Sequence, residues 1–240
     1  MHLRQVFDRL RNANIQLKPS KCLFLRGEVP YLGYVISKDG IRPDPARTDQ
    51  VKNFPTPKDV TQVRQFIGLA SYYRRFIPGF AKVASPLHAL TKKGTTFTWS
   101  SECEVAFCQL KSLLVTAPVL AYPQFGLNKS FILETDASGS GPGAVLSQEQ
   151  ADGHLHPIAY ASRSLHKHEQ NYAISELETL GLGWSVKHFR VYLFGHPCTV
   201  YTDHSACVSL LNTPKPSAKL ARWAMTVQEF DLTIKEESES

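Results

Sequence analysis

The chain has 240 residues, 42% of them hydrophobic and 20% charged, and its net charge of +6 is split: residues 1–128 carry 18 Lys and Arg against 8 Asp and Glu, the remainder 9 against 13. That composition describes a globular chain long enough for two small domains, and it argues against a membrane protein, because no apolar run approaches the roughly 20 residues of a span. The five cysteines form no C-x-x-C pair, which argues against a disulfide scaffold or zinc site and for free thiols in an intracellular, reducing compartment.

Leu3, Val6, Phe7 and Leu10 recur at helical spacing, so the first segment is expected to be a helix with one buried face. Charges interrupt its apolar groups, unlike a signal peptide. Lys21-Cys22-Leu23-Phe24-Leu25 reads as a strand and Val29 to Ile36 as its hairpin partner, with a turn at Lys38-Asp39-Gly40. Pro43, Pro45, Pro55 and Pro57 bracket a short helix near Ala46 to Phe54. Asp59 followed by Gln62 is a capping-box pattern opening a helix with Val63, Phe66, Ile67 and Ala70 inward. Tyr72-Tyr73-Arg74-Arg75-Phe76 then mixes aromatics with cations before Pro78-Gly79. Such mixing suits a helix tracking a nucleic-acid backbone, and equally a core helix with two exposed arginines. Ser101 to Leu114 reads as a helix burying Val105, Cys108, Leu110 and Leu113 or Leu114, and Thr116 to Pro123 is extended by its two prolines.

From residue 130 the pattern changes. Phe131-Ile132-Leu133 turns polar at Glu134-Thr135-Asp136, as a buried strand does where its end emerges at a site. Gly139, Gly141 and Gly143 allow a tight turn before a second strand at Ala144-Val145-Leu146, and Pro157 to Ser162 is a third. A helix begins near Glu169 and carries Tyr172, Leu177, Leu180, Trp184 and Phe189. Glu176 and Glu178 lie on it about 200° apart, so only one faces Asp136. Thr199 to Thr202 forms a strand ending at Asp203; a short helix at 205–211, a loop at 213–216, a helix presenting Leu220, Trp223, Val227 and Phe230, and a strand at Leu232 to Lys235 complete the chain. Two strand-end aspartates with a helix glutamate cluster like charges, which is tolerable chiefly when divalent cations neutralise them.

The runs TDAS-x-x-G-x-G-AVLSQ, E-x-NY-x-x-x-E-x-E and TDH, with YLGYVIS, GIRPDP and RQFIGLASYYRRFIPGFAKVASPL upstream, resemble the gypsy class of long-terminal-repeat retrotransposon Pol polyproteins. The resemblance implies an α/β (α+β) chain: a palm remnant at 1–43, a helical thumb at 44–93, a connection at 94–128, and an RNase H-like domain with a mixed five-stranded sheet at 129–240. It implies hydrolysis of the RNA strand of an RNA–DNA hybrid by Asp136, Glu178 and Asp203 holding two Mg²⁺ or Mn²⁺ ions. Glu178 is preferred over Glu176 because the family's acid is the second of its E-x-E. The resemblance also implies a primer-strand contact at Tyr31, Leu32 and Gly33 and a duplex contact at Arg74 and Arg75. The family's polymerase turn and its fourth carboxylate fall outside this sequence. A chain truncated at both ends is therefore expected, unable to polymerise alone, weak in its second ion and reduced in activity. Partners are the hybrid and the remainder of a Pol polyprotein. A remnant that binds nucleic acid or protein without cleaving is the alternative.

Overall fold

The computed structural model describes residues 3–126, 129–203, 207 and 218–236. The helix expected at 205–211 and the loop at 213–216 lie outside them, apart from Cys207.

Helix α1 (Leu3–Asn12) forms where its spacing places it, but none of its residues is buried. Phe7 meets Phe24 edge-on at 6.1 Å, and Leu3 is exposed, so the apolar stripe enters no core. The strand expected at 21–25 is absent. Pro19 opens a single 3-10 turn and Leu25 takes φ 54°, which breaks the extended run. Glu28 instead starts the hairpin: β1 (Glu28–Tyr31) pairs with β2 (Tyr34–Ser37) across a two-residue loop, and β2 pairs with β3 (Gly40–Pro43). β3 ends on Pro43 and exchanges two backbone hydrogen bonds of 2.8 Å with Leu120 through Ile41, tying the hairpins to the extended segment.

Four helices build the first core: α2 (Pro45–Lys52), α3 (Val60–Tyr72), α4 (Phe80–Leu90) and α5 (Ser101–Val115). Their starts follow from capping chemistry. Asp44 accepts from Ala46 N at 3.0 Å and Asp59 from Gln62 N at 2.8 Å, each satisfying an N–H that has no partner within its helix. Gln62 returns its bond to Lys58 N rather than to Asp59, so the capping box is displaced by one residue. Val51, Phe66, Phe76, Leu87, Phe107 and Leu110 meet inside. The buried face of α5 differs from the expected one: Cys103, Ala106, Phe107, Leu110 and Leu114 face inward, while Val105 and Cys108 are exposed. Phe107 sets this rotation by packing on Phe66 at 4.5 Å. In consequence α5 shares one core with the helices before it.

The second core lies under a mixed sheet of order β6-β5-β4-β7-β8. Its strands are β4 (Phe131–Ser138), β5 (Gly141–Glu149), β6 (Leu155–Ser162), β7 (Cys198–Thr202) and β8 (Leu232–Glu236). The β4–β7 and β7–β8 pairs are parallel and the others antiparallel. Helix α6 (Ile174–His188) packs on β4 and β5 and against α8 (Ala218–Gln228), and a short α7 (Arg190–Leu193) follows α6. Phe131, Leu133, Leu146, Leu182, Val186 and Val200 fill the space between them. The architecture is the mixed α/β sheet that the resemblance implied. Helix α6 begins five residues later than expected, because Glu169 to Asn171 forms only a 3-10 turn.

Candidate active site

Two strand ends and one helix bring the acids together. Asp136 is exposed near the end of β4, opposite Gly143 of β5. Parallel pairing sets Glu134 beside Tyr201, so β7 ends about level with Thr135, just before Asp136 on β4, and exposed Asp203 directly follows β7. Helix α6 approaches β4 closely because Gly181 has no side chain; a Cβ there would lie 3.2 Å from that of Ala137. One turn earlier, Glu178 is only 5% exposed, its carboxyl set near the backbone N–H of Ala137, which weakly favours the ionised form. Burial first, then the charges of Asp203 and Asp136, push its pKa from 4.5 up to about 7. Glu176 serves the helix instead, its carboxylate accepting from Ala173 N at 3.1 Å at the start of α6.

The floor of the site escapes a sequence reading. Cys207 is fully buried and hydrogen-bonds to Thr202 and Thr179, the neighbours of Asp203 and Glu178, joining the end of β7 to α6. Burial pushes its thiol up to about 11. These three residues are far apart in sequence and carry no shared pattern, so only the fold reveals them. Before α6, Arg163 grips Glu169 with bonds of 2.6 and 2.9 Å, and His166 N donates to the same carboxylate at 2.7 Å. Burial works against the ionised Glu169, but these donors outweigh it and its pKa is lowered.

Among the described residues no three His, Cys, Asp or Glu side chains converge tightly enough to cage a metal ion. The acids share a field rather than a cage, and no described Lys or Arg forms an ion pair with any of the three. An all-carboxylate donor set that leaves a buried glutamate electrostatically uncompensated fits a hard divalent cation, which keeps waters and phosphate oxygens as its remaining ligands. Room exists beside it. A hollow of about 270 Å³ has Glu134, Thr135, Asp136, Gly143 and Tyr160 on one side and Pro78 and Gly79 on the other. A groove of about 700 Å³ runs from Asp136 between α4 and α5.

The other expected contact residues lie elsewhere. Leu32 and Gly33 form the β1–β2 turn with φ 49° and 80°, leaving Tyr31 and Leu32 exposed. A left-handed leucine is uncommon, and the structure around it supplies the restraint: Tyr72 Oη donates to Leu32 O, Tyr73 Oη to Gly33 O at 3.0 Å, and Asp44 N to the same carbonyl at 3.0 Å. The two tyrosines thus cinch the hairpin tip. Arg74 and Arg75 turn their guanidinium groups to β6, donating to the carbonyls of Ser162 and, at 3.4 Å, Ile158. They join the two cores instead of standing as free cations.

Comparison with known proteins places this geometry. Residues 126–230 match the family described as "RNase H-like domain found in reverse transcriptase". The chain is 40% identical over 233 residues to the retrovirus-related Pol polyprotein from transposon 412 of Drosophila melanogaster, covering 97% of this chain and 19% of that one. It is 36% identical over 237 residues to the transposon Tf2-3 polyprotein of Schizosaccharomyces pombe, covering 97% and 18%. The chain therefore spans about a fifth of the length of the curated relatives it matches. Its fold is that of foamy viral protease-reverse transcriptase, with a TM-score of 0.81 and 23% identity to the form solved in complex with RNA/DNA hybrid, covering 98% of this chain and 32% of that one. Residues 126–230 are thus similar to the RNase H-like domain found in reverse transcriptase, within a chain similar over nearly its whole length to parts of retrotransposon Pol polyproteins.

Proposed function

We propose that this chain is part of a reverse transcriptase whose RNase H-like domain hydrolyses the RNA strand of RNA–DNA hybrids inside the cell, with Asp136, Glu178 and Asp203 as its acids. The observation that carries the reading is the buried Glu178 carboxyl coupled to two exposed strand-end aspartates, with no counter-cation paired to them among the described residues. The foamy viral enzyme solved with an RNA/DNA hybrid supports the substrate class. Mg²⁺ or Mn²⁺ held by Asp136, Glu178 and Asp203 would supply Lewis-acid activation of the phosphodiester. The residues do the positioning. Burial against α6 and β4 fixes Glu178, the Cys207 contacts hold β7 to α6, and Asp136 and Asp203 stand exposed where substrate would meet them.

The palm-like, thumb-like and connection roles of residues 1–43, 44–93 and 94–128 belong to the same proposal, as does primer-strand contact by Tyr31, Leu32 and Gly33. Arg74 and Arg75 keep N–H donors beyond those spent on β6, and these are the groups a duplex would meet. One observation favours the non-cleaving reading: no three-ligand cluster exists among the described residues. Calorimetric titration with Mn²⁺ at pH 7 separates the two. Wild type is expected to bind and Asp136→Asn to lose at least tenfold in affinity; equal affinities would overturn the site assignment.

A further inference from the structure

The edge of the site nearest Asp136 is walled by residues outside the RNase H-like domain. Helix α4 and the 3-10 turn at Arg74–Phe76 before it are fixed there by three bonds to β6: the Arg74 and Arg75 contacts already described, from the turn, and from α4 itself Ala81 N, which donates to the buried Ser162 Oγ at 2.9 Å. Gly79, at φ 59°, turns the chain into α4, and Pro78 and Gly79 form the wall facing Glu134, Thr135 and Asp136. The next exposed side chain is Lys82. It borders two separate depressions that Asp136 also borders: the groove of about 700 Å³ between α4 and α5, and a polar recess of about 50 Å³ that includes Ser138, Ser140 and Arg163. Among the described residues no carboxylate forms an ion pair with Lys82, although Glu102 stands on the same groove.

We propose that the groove is a composite nucleic-acid site in which Lys82 holds a backbone phosphate of the hybrid beside Asp136. The inference rests on the nuclease reading and deepens it. A phosphodiester approaching three carboxylates meets repulsion, and a cation at the rim, held in place by a helix anchored to β6, offsets it and sets the strand's path. Lysine suits this position as a flexible point charge that accepts any phosphate, where sequence is not being read.

Hybrid binding by the full chain, measured across salt concentrations on the Asp136→Asn background, tests this without cleavage interfering. Lys82→Ala is expected to weaken binding and reduce the salt slope by about 1, as loss of one phosphate contact requires, with Lys82→Arg restoring both. On the unmodified background, Lys82→Ala should raise KM for the hybrid more than it lowers kcat. An unchanged slope and affinity would overturn the proposal and return Lys82 to an ordinary solvated lysine. The two readings fail separately. Cleavage that depends on Asp136 with an unmoved slope sinks the Lys82 contact alone. A slope that falls by about 1 in a chain that cleaves nothing sinks the nuclease reading alone.

Discussion

A carboxyl buried beside two other acids favours its protonated form, and at Glu178 this fixes how stability follows pH. Its folded pKa is about 7 against 4.5 for an ordinary carboxyl. The folded state therefore binds this proton more tightly than the unfolded state does. The contribution is fully present below pH 4.5 and is lost as pH rises through 7. In chelator, the melting temperature of wild type should fall between pH 5 and pH 8 by more than that of Glu178→Gln, which has no proton to lose. Parallel curves for the two proteins would contradict the assigned burial and coupling. Gly141 gives a second test at this scale. It sits at φ 135°, and a Cβ there would collide with the carbonyl of Arg163. Gly141→Ala is expected to destabilise by about 1–3 kcal/mol in denaturant titration, since strain and the displaced carbonyl act together. A loss under about 0.5 kcal/mol, the level of a bland surface change, would show that the hairpin lip is not rigid.

Between elements, the decisive contact is the one from the turn after α3 to β6. Arg74 and Arg75 spend guanidinium donors on β6 carbonyls, so their joint replacement by alanine is expected to lower the melting temperature by removing a bond between cores. Each lost bond to a charged group is worth about 1.5–3 kcal/mol. A salt slope of hybrid binding that stays as in wild type would mark the pair as a structural latch, and a flattened slope with unchanged stability would restore the duplex contact first read from the sequence. The strands of the sheet, the Asp136 and Asp203 positions and the starts of α2 and α3 were legible because each rests on local chemistry: an apolar run turning polar, prolines bracketing α2, or the Asp59 cap three residues from the donor it satisfies. What was not legible depends on partners distant in the chain. The face that α5 buries follows from Phe66, the loss of a strand at 21–25 from the hairpin that forms without it, and the direction of Arg74 from β6. The choice of Glu178 over Glu176 came from the motif, and the burial of Glu178 against Ala137 supports it.

For the molecule as a whole, the helical core is bonded to the sheet beside Asp136. Helix α4 walls the groove that Asp136 opens into, and the Ile41–Leu120 bonds tie the hairpins to the extended segment from which Ala121 N reaches Pro157 O of β6 at 2.9 Å. If the RNase H-like domain acts as proposed, its substrate would cross the helical half, which carries the positive charge. Cleavage of a labelled RNA–DNA hybrid in Mg²⁺ and then Mn²⁺, by wild type and Asp136→Asn with hybrid binding measured in parallel, tests the central claim most directly. The expected result is RNA-strand cleavage by wild type and none by the variant, with binding retained by both. Binding without cleavage in wild type under either metal, or cleavage that survives Asp136→Asn, would contradict it.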